Sequence, residues 1–124
     1  MQTTRIELEQ RLVQFAVEII CIAEKMPATR SGNHLANQII RSGSSSALNY
    51  GEAQSAESKR DFIHKLGVVL KELRETQIAL KIIERSRIVP PTSSIVDMIH
   101  ECDELIAIFY RSVQTARSTK GEKL

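Results

Sequence analysis

An all-α, antiparallel up-and-down four-helix bundle is the fold this sequence predicts, and three observations carry that prediction. Apolar residues recur at alternating spacings of three and four through four separate segments. The segments are divided by turn residues, at Pro27, before Ser58 and at Pro90–Pro91. No stretch shows the period-two alternation of a strand, an internal repeat, or a composition shift marking a second domain. Helices of similar length joined by short turns pack against their sequence neighbours in alternating directions. The expectation is one domain over 1–124, with helices at about 4–26, 31–54, 58–87 and 93–117.

The first segment places Leu8, Leu12, Phe15, Ile19, Ile22 and Met26 on one helical face. Pro27 ends it, because proline lacks an amide donor and disfavours helix in the residue before it. The second segment contains Ser42-Gly43-Ser44-Ser45-Ser46, which has the composition of a flexible linker. A linker would lose helical phase, yet phase persists. Ala36, Ile39, Ile40, Gly43, Ser46, Ala47, Tyr50 and Ala53 share one broad face, while Gln38, Ser42, Ser45, Asn49 and Glu52 form a separate polar stripe with Arg41 on its margin. One continuous helix follows. Its small residues Gly43 and Ala47 admit a close neighbour, and its serine hydroxyls can bond to carbonyls one turn back.

The third segment keeps the same rhythm through Phe62, Leu66, Val69, Leu73, Thr76, Leu80 and Ile83, behind a Ser58–Asp61 cap pair. The fourth starts after Pro90–Pro91, where Thr92, Ser93 or Ser94 can cap, and runs its seam through Ile95, Ile99, Cys102, Ile106, Phe109 and Val113. The polar ending RSTKGEKL is expected to fray.

Composition narrows the function classes. Hydrophobic residues are 42% and charged residues 26%, a globular profile, and with aromatics at 4% and no Trp the core must be aliphatic. A formal net charge of +2 does not announce nucleic acid by itself. Cys21 and Cys102 lie in helical segments without metal-type spacing, as reduced thiols do. Charges at Arg5, Glu7, Glu9 and Arg11 break up any signal peptide, and the apolar run from Phe15 to Ala23 is too short to span a bilayer. A cytoplasmic protein without membrane contact is expected.

The first helix is apolar nearly all round. Beyond its seam, Val13, Val17, Ile20 and Cys21 occupy the remaining circumference, so contact with another chain is expected there.

Catalytic and metal-binding patterns fail on geometry. Asp61-x-x-His64 and Asp97-x-x-His100 have the acid-x-x-His form used in di-iron bundles. Both pairs lie about 100° or more from the core seam of their helix, whereas bundle ligands project inward. No metal, cofactor or small-molecule substrate is expected. There is no G-x-S-x-G and no P-loop, and the serines have no histidine in register. Glu72 and Glu75, one turn apart, are better suited to pairing with Arg41 or the amides of Gln38 and Asn49 across the second and third helices. An enzyme using Glu72, Glu75 and Arg41 would need an open, water-accessible pocket around them.

The third segment carries Lys59, Arg60, Lys65, Lys71, Arg74, Lys81, Arg85 and Arg87 among interspersed acids. Its positive excess is modest, but identical subunits in a ring would multiply it, and phosphate contacts are cumulative. Lys59, Arg60, Lys65, Lys81 and Arg85 are the candidates for phosphate contact. The scarcity of aromatic residues argues against base-stacking recognition of single strands.

The stretch ANQIIRSGSSSALNYGEAQSAESKRDFIHKLGVVLKELRET resembles the signature of a bacterial four-helix-bundle family that includes proteins encoded in intervening sequences of large-subunit ribosomal RNA genes. Gln38, Arg41, Ser45, Asn49 and Glu52 match the family's polar positions on the second helix. The Asp61–Leu66 run, Lys71-Glu72 and Glu75-Thr76 match the third. Where many members carry a bulky aromatic pair, this chain has Ile78 and Ala79. The resemblance implies a homopentameric bundle without established enzymatic activity. It also implies association with RNA or DNA, and a likeness to a pentameric accessory protein that works with a reverse transcriptase. Two expectations follow: a non-enzymatic oligomer binding nucleic-acid backbone, or a protein-interaction scaffold such as an accessory subunit of a nucleic-acid enzyme.

Overall fold

A computed structural model describes residues 4–90 and 93–123 of the chain. Four helices follow in order: α1 (Arg5–Glu24), α2 (Arg30–Gln54), α3 (Lys59–Ser86) and α4 (Ser93–Lys123), with no strand among the described residues. Packing runs α1 on α2, α2 on α3 and α3 on α4, and the α1–α4 contact that closes the bundle is the lightest. The fold is the predicted up-and-down four-helix bundle.

Local chemistry sets the starts of three helices. Thr4 and Glu7 form a reciprocal capping box at α1, each side chain bonding the other residue's backbone N–H. The Thr29 hydroxyl accepts from Gly32 N at 3.1 Å, and the Ser58 hydroxyl accepts from Asp61 N at 3.0 Å. Gly32 also marks a tight passage, because a Cβ there would sit 2.0 Å from the Pro27 carbonyl oxygen. Arg87 ends α3 in the left-handed conformation, with φ 57°. Pro91 and Thr92, and with them the predicted Thr92 cap, lie outside the described residues.

The serine run is helical throughout. Ser42, Ser44 and Ser46 donate to the carbonyls of Gln38, Ile40 and Gly43 at 3.1, 2.6 and 2.8 Å, so the hydroxyls are satisfied within the helix. Gly43 gives α1 its close approach, since Ile19 packs directly over it.

The seams of α1 and α3 are buried nearly as expected, with Leu12, Phe15, Ile19, Leu73, Leu80 and Ile83 at 1% exposure or less. One assignment needs correction. On α4 the buried line includes Leu105 and Ala116, while Ile99 and Ile106 are only half-buried, because the helix is rotated toward α3. In that orientation the Cys102 thiol donates to the Leu73 carbonyl (3.1 Å). The α4 helix extends to Lys123, through most of the polar ending.

Candidate nucleic-acid interface

The polar stripe of α2 faces α3, and this is what the sequence alone left open. Gln38 Nε2 donates to Glu75 Oε1 at 3.3 Å. Arg41 reaches Glu72 Oε1 at 3.2 Å and Glu75 Oε1 at 2.5 Å through its two terminal nitrogens. Ser42 is fully buried, where Gln38, Ser45 and Asn49 are half-buried and Glu52 exposed, and it meets the Thr76 hydroxyl at 2.7 Å. Asn49 turns back to its own helix, bonding Ser45 O and Ser45 Oγ at 2.9 Å, and makes no contact with the glutamates. Glu52 closes the seam by pairing with Lys65 at 2.6 Å.

This seam ties α2 to α3 in one register, and it leaves the two glutamates without the freedom of a catalytic pair. Glu72 is buried with its side chain 8% exposed, and both carboxylates accept from Arg41. The Glu75 hydrogen bond, then the nearby Glu72 charge, hold the Arg41 guanidinium still more firmly protonated. An open groove of about 570 Å³ does run beside Glu75, lined with Leu35, Lys71, Arg74, Ile78 and Ile82, but Glu72 does not reach it.

The five cations selected from sequence are not one patch. Lys59 and Arg60 begin α3 and Arg85 ends it, a separation of about 37 Å along the axis. Lys65 points toward α2, where Glu52 neutralises it. Lys81 is half-buried on the side facing α4, close enough to Cys102 to act on its thiol. The outer face of α3 is nevertheless more basic than the selection suggested. Arg60, Lys71, Arg74 and Arg85 lie within about 60° of one another around the helix, all exposed. Lys59 and these four make no ion pair among the described residues, and Glu84 is the only carboxylate fully exposed on α3. Lys71 and Arg74 belong to this face by helical phase, which separates acids from bases that composition counts together.

The lone apolar positions of α1 do face outward. Val13, Val17 and Ile20 are 45%, 45% and 42% exposed, Cys21 is exposed beside them, and Ile6 extends the stripe. On its other flank α1 is clamped to α4 by Arg11, which donates twice to Glu101 (3.1 and 2.7 Å) and once to Glu104 (3.0 Å). His64, Asp97 and His100 are exposed and Asp61 is half-buried. No group of three or more His, Cys, Asp or Glu side chains assembles among the described residues. No described helix is long and apolar enough to cross a membrane.

Fold and site together define an all-α bundle whose conspicuous surface features are a basic helix face and an apolar helix stripe. The chain belongs to the 23S rRNA-intervening sequence protein family, whose profile matches residues 4–111. A solved structure of similar fold is a protein of unknown function from the S23 ribosomal protein family of Bacteroides thetaiotaomicron. It is 26% identical, with a TM-score of 0.78 over 86% of this chain and 97% of that one. No curated protein matches the chain. Neither the family nor that neighbour points to a catalytic activity.

Proposed function

We propose that this chain is a non-enzymatic, cytoplasmic, oligomeric bundle that binds RNA or DNA backbone through the outer face of α3. The observation that carries the reading is the set of exposed cations Arg60, Lys71, Arg74 and Arg85, unpaired among the described residues on a face nearly free of carboxylates, with Lys59 at its edge near the start of the helix. Phosphate contact of this kind is electrostatic and independent of sequence. A net charge of +2 per subunit is small, so the reading needs several copies. The α1 stripe of Val13, Val17, Ile20 and Cys21 supports self-association, and a homopentamer is the assembly that the family resemblance implies. A salt-titrated binding assay with duplex and structured RNA tests this. Binding should weaken steeply with salt, and replacing Lys71 or Arg74 by Ala should lower the log–log slope by about 1 each. No binding at about 50 mM salt refutes it.

A second reading rests on the same α1 stripe. If the stripe stays uncovered after assembly, it suits a scaffold or accessory subunit of a nucleic-acid enzyme. A partner retained after nuclease treatment, and lost in Val17→Glu, favours that reading.

A further inference from the structure

A cleft of about 790 Å³ opens at the end of the bundle where α1 and α3 begin and α2 and α4 approach their ends. All four helices line it. Its base is apolar and aromatic: Tyr50 and Phe109 are buried with their rings edge-to-face at 5.5 Å and 82°, and half-buried Phe62 joins them. Three of the chain's five aromatic residues therefore meet at this one place. Its rim is cationic: Arg5, Lys59 and Arg111 are exposed, one from each of α1, α3 and α4, and none makes an ion pair among the described residues. No carboxylate lines the cleft among the described residues.

The Tyr50 hydroxyl adds a polar group. It bonds no protein atom among the described residues, and no buried side-chain polar atom there lacks a partner, so this hydroxyl opens into the cleft. Burial pushes its pKa up, while the Arg5 guanidinium nearby pulls it down and Glu9 pushes it up. It is a neutral donor at physiological pH.

We propose that this cleft binds a phosphate monoester carried on a flat ring, as in a nucleoside 5′-monophosphate. Three rim cations outnumber the nearby Glu9 carboxylate, which favours a dianion over a singly charged carboxylate, and two guanidiniums offer the forked donors that fit phosphate oxygens. Half-buried Phe62, backed by the buried Tyr50 and Phe109, gives the ring an apolar surface, and the volume lies within the range of small-ligand sites. The mononucleotide comes either free or as the 5′ end of an RNA strand. The second source rests on the nucleic-acid reading above, whereas the first stands without it.

Calorimetric titration of the full chain with adenosine 5′-monophosphate, adenosine and inorganic phosphate tests the site. The monophosphate should bind at least tenfold more tightly than either fragment. Arg111→Gln and Lys59→Gln, both exposed positions, should each weaken it about tenfold with unchanged helical content, and Arg74→Ala on the outer face should leave it unchanged. A 5′-phosphorylated RNA oligonucleotide binding more tightly than its 5′-hydroxyl twin and than the free monophosphate assigns the strand end. Equal affinity of the oligonucleotide and the free monophosphate assigns the free nucleotide. Absence of monophosphate binding at about 1 mM, equal affinity for adenosine, or insensitivity to both glutamine variants overturns the proposal. Loss of duplex binding with monophosphate binding retained refutes the backbone reading alone.

Discussion

Glycine-to-alanine replacement at three positions in the helices should give opposite signs of stability change in one protein. Alanine is favoured over glycine in a helix interior by about 1 kcal/mol. At Gly51 and Gly67 an added Cβ meets nothing within 4 Å, so that gain should be realised nearly in full. At Gly43 the same atom would lie 3.0 Å from Ile19 Cγ2 and 3.3 Å from Ile19 Cβ and Cγ1. Ile19 is fully buried, and its Cβ moves only with the backbone of α1, so relief requires the two helices to part by a few tenths of an ångström. Overpacking of this kind costs about 1–3 kcal/mol. Subtracting the propensity gain leaves Gly43→Ala destabilised by about 1 kcal/mol, roughly 2 kcal/mol below the other two variants. Urea unfolding with linear extrapolation measures this, at one protein concentration because association adds to apparent stability. Should Gly43→Ala gain as much as Gly51→Ala, the close α1–α2 contact is wrong.

Ser42 and Thr76 share two hydroxyl protons among three contacts: Ser42 to Gln38 O, and Thr76 to Ser42 Oγ and Glu72 O. Ser42→Ala and Thr76→Val should each cost about 1 kcal/mol, and the double variant clearly less than their sum; strict additivity would show that the two do not interact. Buried Cys102 should react with Ellman's reagent only on unfolding, and Cys21, exposed on the α1 stripe of the single chain, should react faster in Val17→Glu than in the assembled protein. Burial pushes the Cys102 thiol up to about 12, so the unfolded chain releases that proton first. Its contribution is intact below about pH 9 and is lost as pH rises toward 12, and Cys102→Ala should flatten that decline in the urea midpoint. Val17→Glu, at a position 45% exposed, should leave helical content unchanged while lowering the mass seen by light scattering; an unchanged mass places the interface elsewhere.

Much of the fold was legible because it depends on short-range periodicity. The 3-4 rhythm, Pro27 and the Ser58 cap specify which residues turn inward, and a helix face is fixed by local geometry alone. The serine run could be read as helix for the same reason: Gly43, Ser46 and Tyr50 stay in phase across it. Periodicity fails at the margins of a face, where rotation by a fraction of a turn decides burial. Leu105 and Ile106 are adjacent, and the packing of α4 on α3, with Cys102 against the Leu73 carbonyl, selects Leu105 for the core.

The candidate site was less legible, because it depends on which polar residues meet. Sequence supplied Gln38, Arg41, Ser45, Asn49, Glu52, Glu72 and Glu75 as a set, but could not say that Asn49 bonds within its own helix or that Lys65 spends its charge on Glu52. The end cleft was beyond it altogether, since Arg5, Lys59 and Arg111 are distant in the chain and meet only where the helix ends converge. By itself the sequence determined four helices, their inward faces and the family signature, all properties of neighbours within a turn or two. Tertiary structure decided which charges are neutralised and which stay free, because an ion pair is a fact about distance in space, and distance in space is set by how the helices rotate against one another.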